Sequence, residues 1–251
     1  MLRAMKEVLV ERLEDLQEGK QWSALLLKHQ LKYALQKQMN HTSRSIKKRY
    51  FEALLRYANH RFALLWRCRI IQQLEQRKHA CWYVLDRTES VSIGKWRIYA
   101  SPDLAVLIQN RWHFIRFDMQ SAPKKSSDEF EANAMVLWAK HRGGFPQNES
   151  SFRVHTIGWR RGFWHTETFE PSKKSVEQSY KLLEYDCRAM LELHRYGHSN
   201  LAFLPLATQQ KTCESCSFRF RCPGGEDLVI ARQEQTLLEL EHKSVSSKTR
   251  G

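Results

Sequence analysis

No proline occurs before Pro102, and Gly19 and Gly94 are the only glycines in that stretch. Both residues interrupt helices, proline by removing a backbone donor and glycine by its conformational freedom. A chain this poor in breakers can remain helical over long runs. Leu2, Met5, Leu9, Leu13 and Leu16 recur at helical spacing, so the opening reads as mostly helical to about residue 80. Asn40 to Ser45 is the expected break, with Thr42 or Ser43 as N-cap of the next helix. That helix carries Tyr50, Leu54, Leu55, Ala58, Phe62, Leu65 and Trp66. Its polar side holds Arg44, Lys47, Lys48 and Arg49, either a phosphate-binding face or a solvated one.

The middle of the chain changes character. Residues 81–87 and 91–119 are rich in β-branched and aromatic side chains, and Gln109-Asn110-Arg111 suits a hairpin turn. A polar loop from Gln120 to Ser127 precedes a helix expected from about Asp128 to His141. Gly143, Gly144 and Pro146 end it. A β segment from Phe152 to Phe169 turns at Arg160-Arg161-Gly162, and a long helix follows from about Ser172 to Tyr196. A further short helix is expected from about Glu226 to His242, with a disordered tail from Lys243 to Gly251. The expected divisions are a helical region 1–45, an α/β core 46–208, a cysteine segment with its helix 209–242, and the tail 243–251.

Hydrophobic residues form 42% of the chain, enough for a folded core, and this argues against disorder. The net charge of +14 points to an acidic partner, nucleic acid above all. No apolar run approaches the roughly 18 residues of a membrane span, and the N-terminus lacks a signal-peptide pattern. A cytoplasmic protein with reduced thiols is the expectation.

If the turn sets Asp103 opposite Asp118, the hairpin acquires two faces. Leu104, Val106, Ile115 and Phe117 share one, while Asp103, Ala105, Arg116, Asp118 and Gln120 share the other. Directly opposed aspartates would lie about 5 Å apart and repel unless a cation separates them or one is protonated. Oxygen ligands of this kind suit Mg²⁺ or Mn²⁺.

Cys213, Cys216 and Cys222 lie in one short segment. In a reducing compartment this spacing suits soft-metal ligation better than packing. Zinc completed by His198 or another histidine is one reading. Cys187, on an apolar-periodic helix, reads as a core thiol. Trp112, His113, Arg116, Trp159, Arg160, Arg161, Trp164, Phe218, Arg219 and Arg221 interleave aromatic and basic character, as single-stranded DNA binding would require. Core aromatics with solvated arginines are the plainer account for about half of them.

Pro102-Asp103 followed by Asp118-x-Gln120 resembles the motif of the PD-(D/E)XK nucleases. With the cysteine segment it resembles the RecB-like and AddB-like branch and the CRISPR-associated four-cysteine exonucleases, over roughly residues 50 to 225. The resemblance implies a restriction-endonuclease-like core, a mixed central sheet flanked by helices, with a helical N-terminal region and a C-terminal metal staple. It implies Asp103 and Asp118 as ligands of Mg²⁺ or Mn²⁺, with His60, or failing it Glu52, completing the site. It also implies a [4Fe–4S] cluster on Cys213, Cys216 and Cys222, with Cys68 or Cys81 as the upstream ligand.

Two departures stand out. The family's lysine position holds Gln120, which cannot stabilise developing charge as an ammonium does; losing such a group lowers rates by about 10² to 10³. Lys124 or Lys125 would have to fold back to replace it. The helix after the hairpin, at Asn133 to Trp138, lacks the family's Gln-x-x-x-Tyr. The resulting expectation is a DNA-binding, catalytically impaired subunit of a DNA-processing, recombination or anti-phage defence complex. Its contacts to nucleic acid would come from Lys47, Lys48, Arg116, Lys124, Lys125, Arg160, Arg161, Arg219 and Arg221. The rivals are an active Mg²⁺-dependent nuclease acting on single-stranded ends and a zinc-binding nucleic-acid or protein adaptor.

Overall fold

The structure is a computed structural model that describes residues 1–41, 47–119 and 125–199, together with Cys216. The chain forms two compact units, Met1–Tyr180 and Lys181–Gly251. In the first, the proline-free stretch folds into α1 (Leu2–Gln17), α2 (Ala24–His41), α3 (Lys48–Leu65) and α4 (Arg69–Glu75). Met5, Leu9 and Leu13 of the expected stripe are buried, joined by Ala4 and Val8. Gly19, at φ +84°, lies between α1 and α2 in a conformation open to glycine. The cap of α3 differs from expectation. Lys47 occupies the N-cap without a side-chain bond, so neither Thr42 nor Ser43 caps this helix.

Among the described residues seven strands follow: β1 (Trp82–Val84), β2 (Val91–Ile93), β3 (Trp96–Ile98), β4 (Leu104–Ile108), β5 (Arg111–Asp118), β6 (Phe152–Arg160) and β7 (Phe163–Phe169). β2 and β3 form their own hairpin. The others build one mixed sheet in the order β1-β4-β5-β6-β7. Its pairs are antiparallel except β5 with β6, which are parallel and joined through α5 (Lys125–Arg142). Parallel neighbours need such a crossover, whereas antiparallel neighbours need only a tight turn. Those turns are Gln109-Asn110, with φ of +49° and +61°, and Arg161-Gly162, with φ of +48° and +87°. Paired positive φ values mark the two-residue hairpin turn that matches the twist of the strands. α6 (Lys173–Ser199) begins in the first unit and continues into the second.

Helices flank both faces of the sheet. Leu104, Val106, Ile115, Phe117 and Ile157 merge into one hydrophobic cluster with the buried sides of α1 to α4. The first two helices therefore share a core with α3 and the sheet. On the opposite face Phe114 packs against Phe145 and Phe152, and Phe145 meets Trp138 of α5. Pairing of β5 with β6 on one side and β4 on the other makes β5 the central strand. Both ends of β5 consequently sit over cavities bounded by other elements.

Candidate functional site

The hairpin has the expected faces but a different register. Leu104 pairs with Ile115 and Ile108 with Arg111, so the turn centres between Gln109 and Asn110. Continuing this register sets Asp103 across from Arg116, not Asp118. The two aspartates keep the same face and the same end of adjacent strands, offset diagonally by two residues. The expectation of directly opposed carboxylates is corrected. Moving the turn centre by one residue moves the pairing by two and leaves side-chain faces unchanged.

Asp103 is 4% exposed, and its carboxylate has other partners. Lys6 of α1 forms a close ion pair with Oδ1, and Arg87 Nε lies 3.2 Å from the same oxygen. Oδ2 accepts from the Phe117 backbone N–H at 2.7 Å. The Asp103 carbonyl meanwhile accepts from Leu85 N at 3.1 Å. The strand thus gives its carbonyl to the β1 side, and the carboxylate takes the donor from β5. Burial pulls the Lys6 ammonium down to about 8, against the opposing pull of Asp103.

Asp118 is half-buried and pairs with Gly158 across β6. It lines a cavity of about 350 Å³ with Lys6, Arg87, Arg116 and Glu131. Asp103 does not line that cavity; it sits behind Lys6 and Arg87. Three cations therefore stand close to the Asp103 carboxylate, Arg116 being held by Glu131 at 2.6 Å and by the Ser101 carbonyl at 3.1 Å. Arg116 is only 6% exposed, which corrects its assignment as a nucleic-acid contact.

His60 is exposed on α3, as is Glu52. Its neighbour Arg61 turns inward instead, is 3% exposed, and donates to the Met119 carbonyl at 2.9 Å. Arg61 lies 4.5 Å from the Trp159 ring and 5.3 Å from that of Trp164, whose indole donates to the Arg61 carbonyl at 2.8 Å. These tryptophans therefore serve a buried cation and each other rather than offering open stacking platforms. Trp112 is similarly stacked on Tyr83 and set edge-on to Phe145. Among the described residues, no three His, Cys, Asp or Glu side chains gather as metal ligands. The Mg²⁺ set Asp103, Asp118 and His60 is not assembled, and with both Asp103 oxygens engaged the arrangement does not fit a divalent cation.

Lys47, Lys48, Arg160 and Arg161 are exposed. Gln120, Lys124, Cys213, Cys222, Arg219 and Arg221 lie outside the described residues, as does the side chain of Lys125. Cys216 is exposed. Cys68 and Cys81 are both half-buried. The Cys68 thiol packs against the hydrophobic cluster, where burial pushes it up to about 11.

No protein-family model, curated protein or solved structure matches the chain. Among the described residues, no helix is long and apolar enough to cross a membrane.

Proposed function

We propose that this chain is a nucleic-acid-binding protein built on a PD-(D/E)XK nuclease-like core that has lost or nearly lost cleavage. It would act as a subunit of a DNA-processing, recombination or defence assembly. The observation that carries the reading is the engagement of Asp103 by Lys6, Arg87 and the Phe117 N–H. A carboxylate with both oxygens in use must give up an internal ion pair before it can take a metal. The nuclease ancestry draws support from element order: an antiparallel β4–β5 hairpin, then a helical crossover to parallel β6, with Asp103 just before β4 and Asp118 ending β5.

Binding would rest on the +14 charge, with Arg160 and Arg161 at the β6–β7 turn and Lys47 and Lys48 at the start of α3 as exposed cations. Cys213, Cys216 and Cys222 would hold a [4Fe–4S] staple with Cys81 or Cys68, or else a zinc ion. A second reading, an Mg²⁺-dependent nuclease, is favoured by one fact: Asp103 and Asp118 share a face and a sheet end. The deciding experiment incubates the protein with labelled single-stranded DNA in Mg²⁺ and in Mn²⁺, across a salt series. Salt-sensitive retention of intact DNA is expected. Cutting that disappears in Asp118→Ala would reject the impaired-nuclease reading, and salt-insensitive or absent binding would reject the nucleic-acid reading.

A further inference from the structure

A second cavity, about 790 Å³, lies against the start of β5, whereas Asp118 ends that strand. Its floor is apolar, formed by Ile70, Leu107, Ile108 and Ile157. Its charged lining consists of Arg69, Lys78 and Arg153, and among the described residues no carboxylate lines it. Thr166 and Thr168 add hydroxyls from β7.

The strand registers organise its polar wall. His113 pairs with Arg153 across β5 and β6, and His155 pairs with Thr168 across β6 and β7. The imidazoles stack with centroids 5.0 Å apart and planes 19° from parallel. His113 Nδ1 lies 2.8 Å from His155 Nε2, and His155 Nδ1 lies 3.0 Å from Thr168 Oγ1. Threonine hydroxyl and both rings thus form one hydrogen-bonded chain. Burial, then Arg153 and Arg111 at His113, and burial, then the His113 ring and Arg153 at His155, pull both histidines down to about 4, so the chain is neutral at physiological pH. The Arg153 guanidinium pairs with the Glu170 carboxylate, and Arg111 reaches the same carboxylate at 4.0 Å and donates to the Phe152 carbonyl at 3.1 Å, so only the Nε of each lacks a hydrogen-bond partner among the described residues. Glu170 thus answers part of the Arg153 charge, and Arg69 and Lys78 remain the exposed cations of the lining.

We propose that this cavity binds the phosphate of a nucleotide, held by Arg69, Lys78 and Arg153, with the ring portion on the apolar floor. Several separate cations suit a phosphate dianion better than a single carboxylate. The volume falls within the range of small-molecule sites, roughly 300 to 1,000 Å³. The phosphate belongs either to a free nucleotide or to the end of a strand, which offers the same chemistry. This inference does not depend on the nuclease-like reading, because the cavity contains neither aspartate of that site.

Calorimetry with adenosine monophosphate, and with hexathymidylate carrying or lacking a 5′-phosphate, tests it alongside imidazole NMR. Binding of the phosphorylated probes should shift the His113 and His155 resonances. Combined Arg69→Glu and Lys78→Glu, both at exposed positions, should weaken that binding at least about tenfold. The corresponding double alanine variant should show a smaller loss. Tighter binding of the phosphorylated strand than of the mononucleotide assigns the strand end, and parity or the reverse assigns the free nucleotide. Absence of any imidazole shift, or affinity unchanged in the glutamate variant, overturns the proposal. The unphosphorylated strand reports on nucleic-acid binding elsewhere, so loss of one property is distinguishable from loss of the other.

Discussion

Neutralising Asp103 gives opposite stability changes under the two readings of the acid site. If two carboxylates repelled each other across the hairpin, Asp103→Asn would stabilise the metal-free protein. In this structure the side chain of Asp103 is 4% exposed and that of Lys6 only 17%. Removing one partner of a buried pair leaves an uncompensated charge, at a cost of about 3–5 kcal/mol. The lower end applies here, because Arg87 is 45% exposed and can swing toward water. Lys6, already near 8, can also shed its proton. Asparagine preserves an acceptor for the Phe117 N–H, so that hydrogen bond does not confound the measurement. For a unit of this size about 3 kcal/mol lowers Tm by roughly 6–12 °C. Adding Lys6→Met removes the stranded ammonium, and the double variant should recover about 2 kcal/mol in a double-mutant cycle read by urea unfolding. Wild-type or greater stability in Asp103→Asn, or no recovery in the double variant, would refute the ion-pair account.

Lys6 should titrate near 8 in a pH profile of amine modification; a midpoint near 10.5 would mean that it is solvated. His113 and His155, lowered from 6.5 to about 4, give a folded state that binds fewer protons than the unfolded one across that window. Stability should therefore rise with pH from about 4 to 6.5 and fall on acidification; NMR midpoints near 6.5 for both rings would contradict this. Arg160→Ala with Arg161→Ala should weaken DNA binding and reduce the salt slope by about one to two, whereas an unchanged slope places the strand elsewhere. Anaerobically purified protein should be brown with absorbance near about 400 nm, and zinc with background iron would replace the cluster by a zinc site.

The helical opening and strand-rich middle were legible because hydrophobic period and breaker residues act locally. Leu104 and Ile115 could be placed on one face without knowing their register, since alternation survives a shift of two residues. The register itself depended on whether the turn centres between Gln109 and Asn110 or one residue further on, a choice made by backbone geometry. Lys6 was hidden for another reason: nothing near it in sequence signals that α1 delivers its ammonium to a strand far downstream. Arg61 carried no such signal either, because the tryptophan rings its guanidinium lies over are brought near only by the β6–β7 turn. The His113–His155 pair carried a weak signal, since each histidine interrupts an apolar strand face, but the parallel pairing that joins them passes through α5. Both cavities are thus products of long-range pairing rather than of any contiguous motif.

Titration of the protein with Mn²⁺, followed by electron paramagnetic resonance in the presence of single-stranded DNA, tests the sealed acid site most directly. The account predicts that wild-type protein leaves the signal of free Mn²⁺ unchanged at stoichiometric metal while the DNA remains bound. A bound Mn²⁺ signal that disappears in Asp118→Ala would contradict it and restore a metal-dependent nuclease.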